Sequence, residues 1–221
     1  LKIPSLILAG LLAAAPLQGQ AQSFDEKDWD VRLNLLTHSV LSPLLKGKEP
    51  ALTAPPVPGS TEDQMDRAAA MEVFNVEVDK ETEGYIQSAA GYDISWSLVN
   101  AGMLPDTSEA EAFWSLLEDA YLDVSLISLK QKKSFARLRQ EHVFEDMTPR
   151  VPSPSTPAYP SLVAADISLF LGAVTQLTDS CSVENAELGA RLTQARIISG
   201  VSTSADIEAG RALGDWYLTH L

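Results

Sequence analysis

Cysteine is nearly absent from this chain: Cys181 stands alone among 221 residues. A lone thiol closes no internal disulfide, so the fold rests on its core. Histidine is almost as scarce. His38, His142 and His220 are far apart, and no Cys/His group has metal-ligand spacing. The sequence therefore gives no reason to expect structural zinc or any other cofactor. Positive charge is in short supply, with 16 Lys+Arg against 30 Asp+Glu and a net charge of -14. That balance excludes a nucleic-acid surface, which needs clustered cations facing phosphates. Alternating strand patterns and internal repeats are also missing. The one long apolar run is "IPSLILAGLLAAAPL" near the start, shorter than the ~20 residues of a spanning helix. With Lys2 before it and Gly19 and Ala21 after it, residues 1–21 read as a secretory signal peptide. The competing reading is an uncleaved anchor. The expectation is a periplasmic or secreted protein with no membrane partner after cleavage, open to homo-oligomer formation.

What the chain has in quantity is helix. Hydrophobic residues make up 45% and charged residues 21%, a globular balance at a length that suits one domain. Trp29, Leu33, Leu36, Val40 and Leu44 recur at helical spacing. "KEPALTAPPVPGS" (48–60) then breaks any helix, because proline lacks an N–H donor and restricts its predecessor. Further helices are expected from about Glu62, over Lys80 to Ala101, and from the capping box at Ser108–Glu111 through Val124 toward Arg139. "TPRVPSPSTPAYP" (148–160) reads as an extended, surface-hugging connection. Helices follow at roughly 161–178, 183–198 and 204–219. The fold class is all-α, a single-domain bundle, with residues 22–60 as lead-in and 61–221 as the helical domain.

Several polar residues stand out against that background. Lys130, Lys132, Lys133, Arg137 and Arg139 crowd into ten positions. Such a run reads first as a solvated helix face and second as an anion site. Lys132 and Arg139 are seven apart, about 700° around a helix, which places both on one face. Stacked cations need an anion between them, or carboxylates such as Glu141 or Asp123. Ser161, in "YPS", opens a helix, where free N–H groups and the dipole favour an anion. Arg196 precedes a turn and Asp206 lies ten residues beyond it, a spacing that also suits a structural salt bridge between two helices.

In this order the residues resemble the bacterial class A non-specific acid phosphatases, a branch of the type 2 phosphatidic acid phosphatase and haloperoxidase superfamily. That family carries K-x6-R-P, then P-S-G-H, then S-R-x5-H-x3-D. The first motif appears as "KKSFARLRQ", with Lys132 and Arg139 in place and Gln140 where proline is usual. The second appears as "YPSLV", with Pro160 and Ser161 matching and Leu162 and Val163 replacing Gly and His. The third appears as "ARIISGVSTSAD": Arg196 and Asp206 match, Ala195 replaces Ser and Ser202 replaces His. The likeness extends over roughly residues 50–221.

The resemblance implies an all-α phosphatase fold and a phosphate or phosphomonoester ligand. It implies that Lys132, Arg139, Ser161 and Arg196 hold phosphoryl oxygens, while Ser202 and Asp206 stand at the nucleophile and orienting positions. Both family histidines, nucleophile and general acid, are absent. Losing a general acid costs about 10²–10⁴-fold, and losing the nucleophile removes the covalent route. A carboxylate is a poor base for a hydroxyl, so Asp206 is not expected to activate Ser202. His142 is expected on a solvated surface, His38 in a structural role and His220 fraying at the end. The reading is an oxyanion cradle that binds and no longer cuts. The alternatives are an acid phosphatase using substituted groups and a non-catalytic helical interaction protein; vanadate is a further oxyanion the cradle suits.

Overall fold

The computed structural model describes residues 23–37, 43–45, 47–48, 50–90, 99, 111–177 and 182–220. Among them lie seven α-helices and no strand: α1 (Val31–Leu36), α2 (Thr61–Phe74), α3 (Lys80–Ala90), α4 (Glu111–Phe135), α5 (Leu162–Leu177), α6 (Ser182–Ile198) and α7 (Ser204–Leu218). The all-α expectation holds. The amphipathic pattern of residues 24–45 does not form one long helix. It divides into a 3-10 turn at Glu26–Asp28, α1, and a second 3-10 turn at Pro43–Leu45. The expected capping box at Ser108, the far end of the Lys80–Ala101 pattern, Cys181, His38 and the signal segment lie outside the described residues.

Helix boundaries follow local chemistry. The Ser60 hydroxyl accepts the Asp63 N–H at 3.2 Å and starts α2 directly after the proline-rich lead-in. Thr203 and Asp206 form a reciprocal capping box at the head of α7. Helix α4 stops at Phe135, where Ala136 takes φ 46°, a left-handed conformation that ends helices. This overturns the expectation that the helix runs on to Arg139.

Helix α5 is the central element, buried along most of its length, with α7 as its closest neighbour and α4 and α6 beside it. Its approach to α7 requires glycine: a Cβ at Gly210 would overlap the Ser161 carbonyl and lie 2.9 Å from Ala164 Cβ. The main core gathers Ile86, Leu117, Ile167, Phe170, Val174 and Leu192 from α3 to α6. Each such side chain contributes about 1.5–3 kcal/mol by leaving water. The lead-in adds a small cluster in which Phe24 and Trp29 pack on Leu129, with Leu33, Leu36 and Leu138 beside them.

Candidate functional site

One cavity, of about 160 Å³, opens where α4, α5 and the loop after α6 meet. Lys132, Arg139 and Arg196 line it, only 2–3% exposed. They come from the last turn of α4, the loop after it and the end of α6. Ser161 and Ser202 share the same wall. Five of the six residues singled out by sequence thus converge on one space.

The convergence is not made by helical spacing. Arg139 lies beyond α4, at the cap of the 3-10 turn Gln140–His142, and reaches the cavity because the chain folds back. The segment "RLR" alternates: Arg137 and Arg139 turn inward while Leu138 packs on the Phe24–Trp29 cluster. Lys132, Arg137 and Arg139 are therefore no solvated face. The site's cations tolerate burial because carbonyl oxygens meet their donors. Lys132 Nζ donates to Pro157 O at 2.7 Å and Ala158 O at 3.1 Å. Arg139 donates to Thr156 O at 2.6 Å, Val201 O at 2.8 Å and Pro157 O at 3.2 Å. Arg196 Nη1 donates to Ala89 O at 2.9 Å. The proline-rich run 148–160 is consequently not surface-hugging over its last third. Thr156 to Pro160 are buried, and their carbonyls form the site's outer scaffold.

Carbonyls satisfy geometry but leave net charge. No carboxylate among the described residues pairs with Lys132. Burial, followed by the Arg139 guanidinium and partly opposed by Asp206, holds its ammonium pKa well below the ordinary lysine range. An anion in the cavity reverses that balance. Ser161 adds a hydroxyl at the head of α5, where it accepts the Ala164 N–H at 3.3 Å, and the helix N-terminus adds partial positive charge.

Asp206 is elsewhere. Its Oδ2 accepts the Thr203 N–H at 2.9 Å and its Oδ1 accepts Arg137 Nη1 at 2.8 Å. It is not among the residues around the cavity, and its ion pair is with Arg137, not the expected Arg196. Arg137, seen in the sequence only as part of a basic run, is the hub of a buried network. Its Nη2 also meets Asp63 and Asp66, each at 2.8 Å, and Asp63 takes Arg67 in turn. Gln140, at the family's proline position, is buried with its Oε1 accepting Arg67 Nη1 at 3.0 Å. The inward alternation of Arg137 and Arg139 around Leu138 was the available signal for this second role.

Apart from Ser125 and Thr156, the rest of the lining is apolar. Val163 stands where the family has a histidine, and Leu33, Leu36, Leu122 and Leu129 complete the wall. The α1 leucines were read as amphipathic helix without any hint of this place. His142 is exposed, edge-on to Phe24 with ring centroids 5.5 Å apart, and does not line the cavity. His220 packs on Trp216 with centroids 4.6 Å apart instead of fraying freely.

No protein-family model matches the chain, and no curated protein does. Among solved structures it is similar to the transmembrane PAP2-type phosphatidylglycerolphosphate phosphatase from Bacillus subtilis. The TM-score is 0.55 at 13% identity, over 85% of this chain and 89% of that one. No helix among the described residues is long and apolar enough to cross a membrane. The chain has the all-helical fold of the PAP2-type phosphatases.

Proposed function

We propose that this protein binds phosphate or a phosphomonoester in the cavity and does not turn it over appreciably. The carrying observation is the convergence of three buried cations from three separate segments on one cavity, beside the hydroxyls of Ser161 and Ser202. Lys132 supplies a point charge, and Arg139 and Arg196 supply planar donor forks suited to tetrahedral oxyanions. The class A acid phosphatase likeness of the three motifs supports phosphate as the anion. The same likeness supports loss of catalysis. Ser202 lacks an imidazole's nucleophilicity at neutral pH, Val163 donates no proton, and Asp206 has its oxygens engaged by Thr203 and Arg137. We further read residues 1–21 as an export signal, which puts the mature protein in the periplasm or outside the cell.

The test pairs binding with turnover. Inorganic phosphate at 100 times its Kd should stabilise the wild type by about 2.7 kcal/mol and leave Arg139→Ala unmoved. An aryl phosphate should be hydrolysed no faster by wild type than by identically purified Arg139→Ala. Hydrolysis present in wild type and lost in the variant would overturn the non-catalytic half. A melting temperature indifferent to phosphate would overturn the binding half.

A further inference from the structure

Helices α4 and α5 run antiparallel beside the cavity, and Tyr121 and Leu122 mark the end of it nearer solvent. The rings of Tyr121 and Phe170 stack there with centroids 6.3 Å apart. At the other end, Leu129 and Lys132 of α4 face Ser161, Leu162 and Val163 of α5 across the same space. One turn on from Tyr121 comes Ser125, and one turn back from Phe170 comes Asp166. The register places these two opposite each other. Asp166 shares its helix face with Leu162, Val163 and Phe170, three or four residues away on either side. Ser125 itself lines the cavity.

Both groups are buried, Ser125 at 8% and Asp166 at 3% exposure, and neither Ser125 Oγ nor Asp166 Oδ1 has a hydrogen-bond partner. Ser128 Oγ, on the same face of α4, is in the same condition. Buried polar atoms left unpaired each cost about 1–3 kcal/mol, and such groups cluster where a ligand completes them. Of the three, Ser125 lines the cavity, while Ser128 and Asp166 lie on the two helices that bound it. Burial holds the Asp166 carboxyl well above the usual carboxylate range. Burial thus favours its protonated form, which offers one O–H donor and a carbonyl acceptor, matched to an uncharged polar group and not to a cation.

We propose that Ser125, on the cavity wall and backed by Asp166 from the facing helix, forms a subsite that reads a hydroxyl on the alcohol portion of a bound phosphomonoester. The ligand class is then a short polyol monophosphate, in preference to inorganic phosphate or a plain alkyl phosphate. This rests on the oxyanion reading of Lys132, Arg139 and Arg196. The lengths agree. Ser161 and Asp166 are five residues apart, about 7.5 Å along the helix axis. That distance is spanned by a phosphoryl group, a two- or three-carbon chain and one hydrogen bond. Leu129, Leu162 and Val163 pack against the carbons between.

The experiment measures dissociation constants of inorganic phosphate, ethyl phosphate and 2-hydroxyethyl phosphate by calorimetry. Wild type, Ser125→Ala and Asp166→Ala are compared. The two esters differ by one hydroxyl, so the expected wild-type preference for 2-hydroxyethyl phosphate is about five- to tenfold. That preference should fall to near unity in Ser125→Ala, while affinity for inorganic phosphate stays within about twofold of wild type. Should Asp166→Ala not fold, Ser125→Ala decides the matter alone, since it removes a single oxygen from the cavity wall. Equal binding of the two esters by wild type would overturn the subsite and leave the cradle standing. A preference that survives Ser125→Ala would assign the hydroxyl to other groups and also overturn it. No binding of any of the three probes would sink the cradle reading and the subsite together.

Discussion

At the residue scale, Lys132 is the clearest case of an environment changing what a side chain does. An ammonium held by Pro157 and Ala158 carbonyls, with Arg139 and Arg196 near it, is charged at an electrostatic cost that an anion relieves. Anion binding is then coupled to proton uptake. Because the folded pKa is depressed, the penalty on the charged form is full at low pH. It fades as pH rises through the folded pKa toward the ordinary lysine value of 10.5. Stability from this group therefore grows with rising pH, while anion affinity falls. Sulfate, whose charge is constant over that range, is the suitable probe. Its Kd should weaken by up to about tenfold per pH unit once pH exceeds the folded pKa of Lys132. In Lys132→Met it should be weaker and flat across the same interval, as followed by calorimetry. A wild-type profile as flat as the variant's would exclude Lys132 from the site.

At the scale of elements, the seam between α5 and α7 governs where the site's hydroxyl and helix terminus sit. Gly210 faces the Ser161 carbonyl and Ala164, and Gly214 faces Ala165 and Ser168. The Ser161 N–H donates to Asp206 O at 2.9 Å, tying the start of one helix to the first turn of the other. Gly210→Ala must push the helices apart. We expect it to lower stability by about 1–3 kcal/mol in urea denaturation and to weaken phosphate binding as Ser161 moves. Unchanged stability would mean that α7 yields without cost and that the close approach is not required. The Arg137 network acts at the same scale. It joins α2, the loop after α4 and α7 through Asp63, Asp66 and Asp206. Beside it, burial raises the Asp63 pKa but is outweighed by Arg137, the Gly59 N–H and Arg67. The stability Asp63 contributes is thus present above its unfolded pKa and lost as pH falls through the lower folded one.

For the molecule as a whole, the distribution of charge matters more than its sum. The net charge is -14, yet Arg67, Lys132, Arg137, Arg139 and Arg196 are all buried. Asp63, Asp123, Asp166 and Asp206 are buried as well, so the buried charges nearly cancel and the acidic excess lies on the exterior, around a cavity of opposite sign. Self-repulsion of that exterior destabilises the compact state and is screened by salt. Raising sodium chloride from about 0.02 to about 0.5 M should lift the melting temperature by a few degrees, since about 1 kcal/mol corresponds to about 2–4 °C at this size. A melting temperature that stays flat or falls with salt would show that the surface charges are already balanced locally.

Local rules were enough for most of the helices. Proline-rich breaks and 3.6-residue periodicity located the start of α2 and both ends of α5, α6 and α7 to within a residue or two, because such signals depend on neighbours along the chain. The order and spacing of Lys132, Arg139, Ser161 and Arg196 were likewise legible, and with them the expectation of an oxyanion site. What sequence could not supply was direction. Arg139 enters the cavity only because α4 stops at Phe135. The carbonyls that take the cations lie 17 to 107 residues away along the chain. Asp206 pairs with Arg137, 69 positions off, rather than with the arginine ten positions before it. The 156–160 run turns inward against the usual habit of proline-rich segments, and Asp166 gains meaning only from the helix opposite. Periodicity tells a residue which side of its own helix it occupies. The partner across the gap is chosen by tertiary packing, and in this protein that choice makes the site.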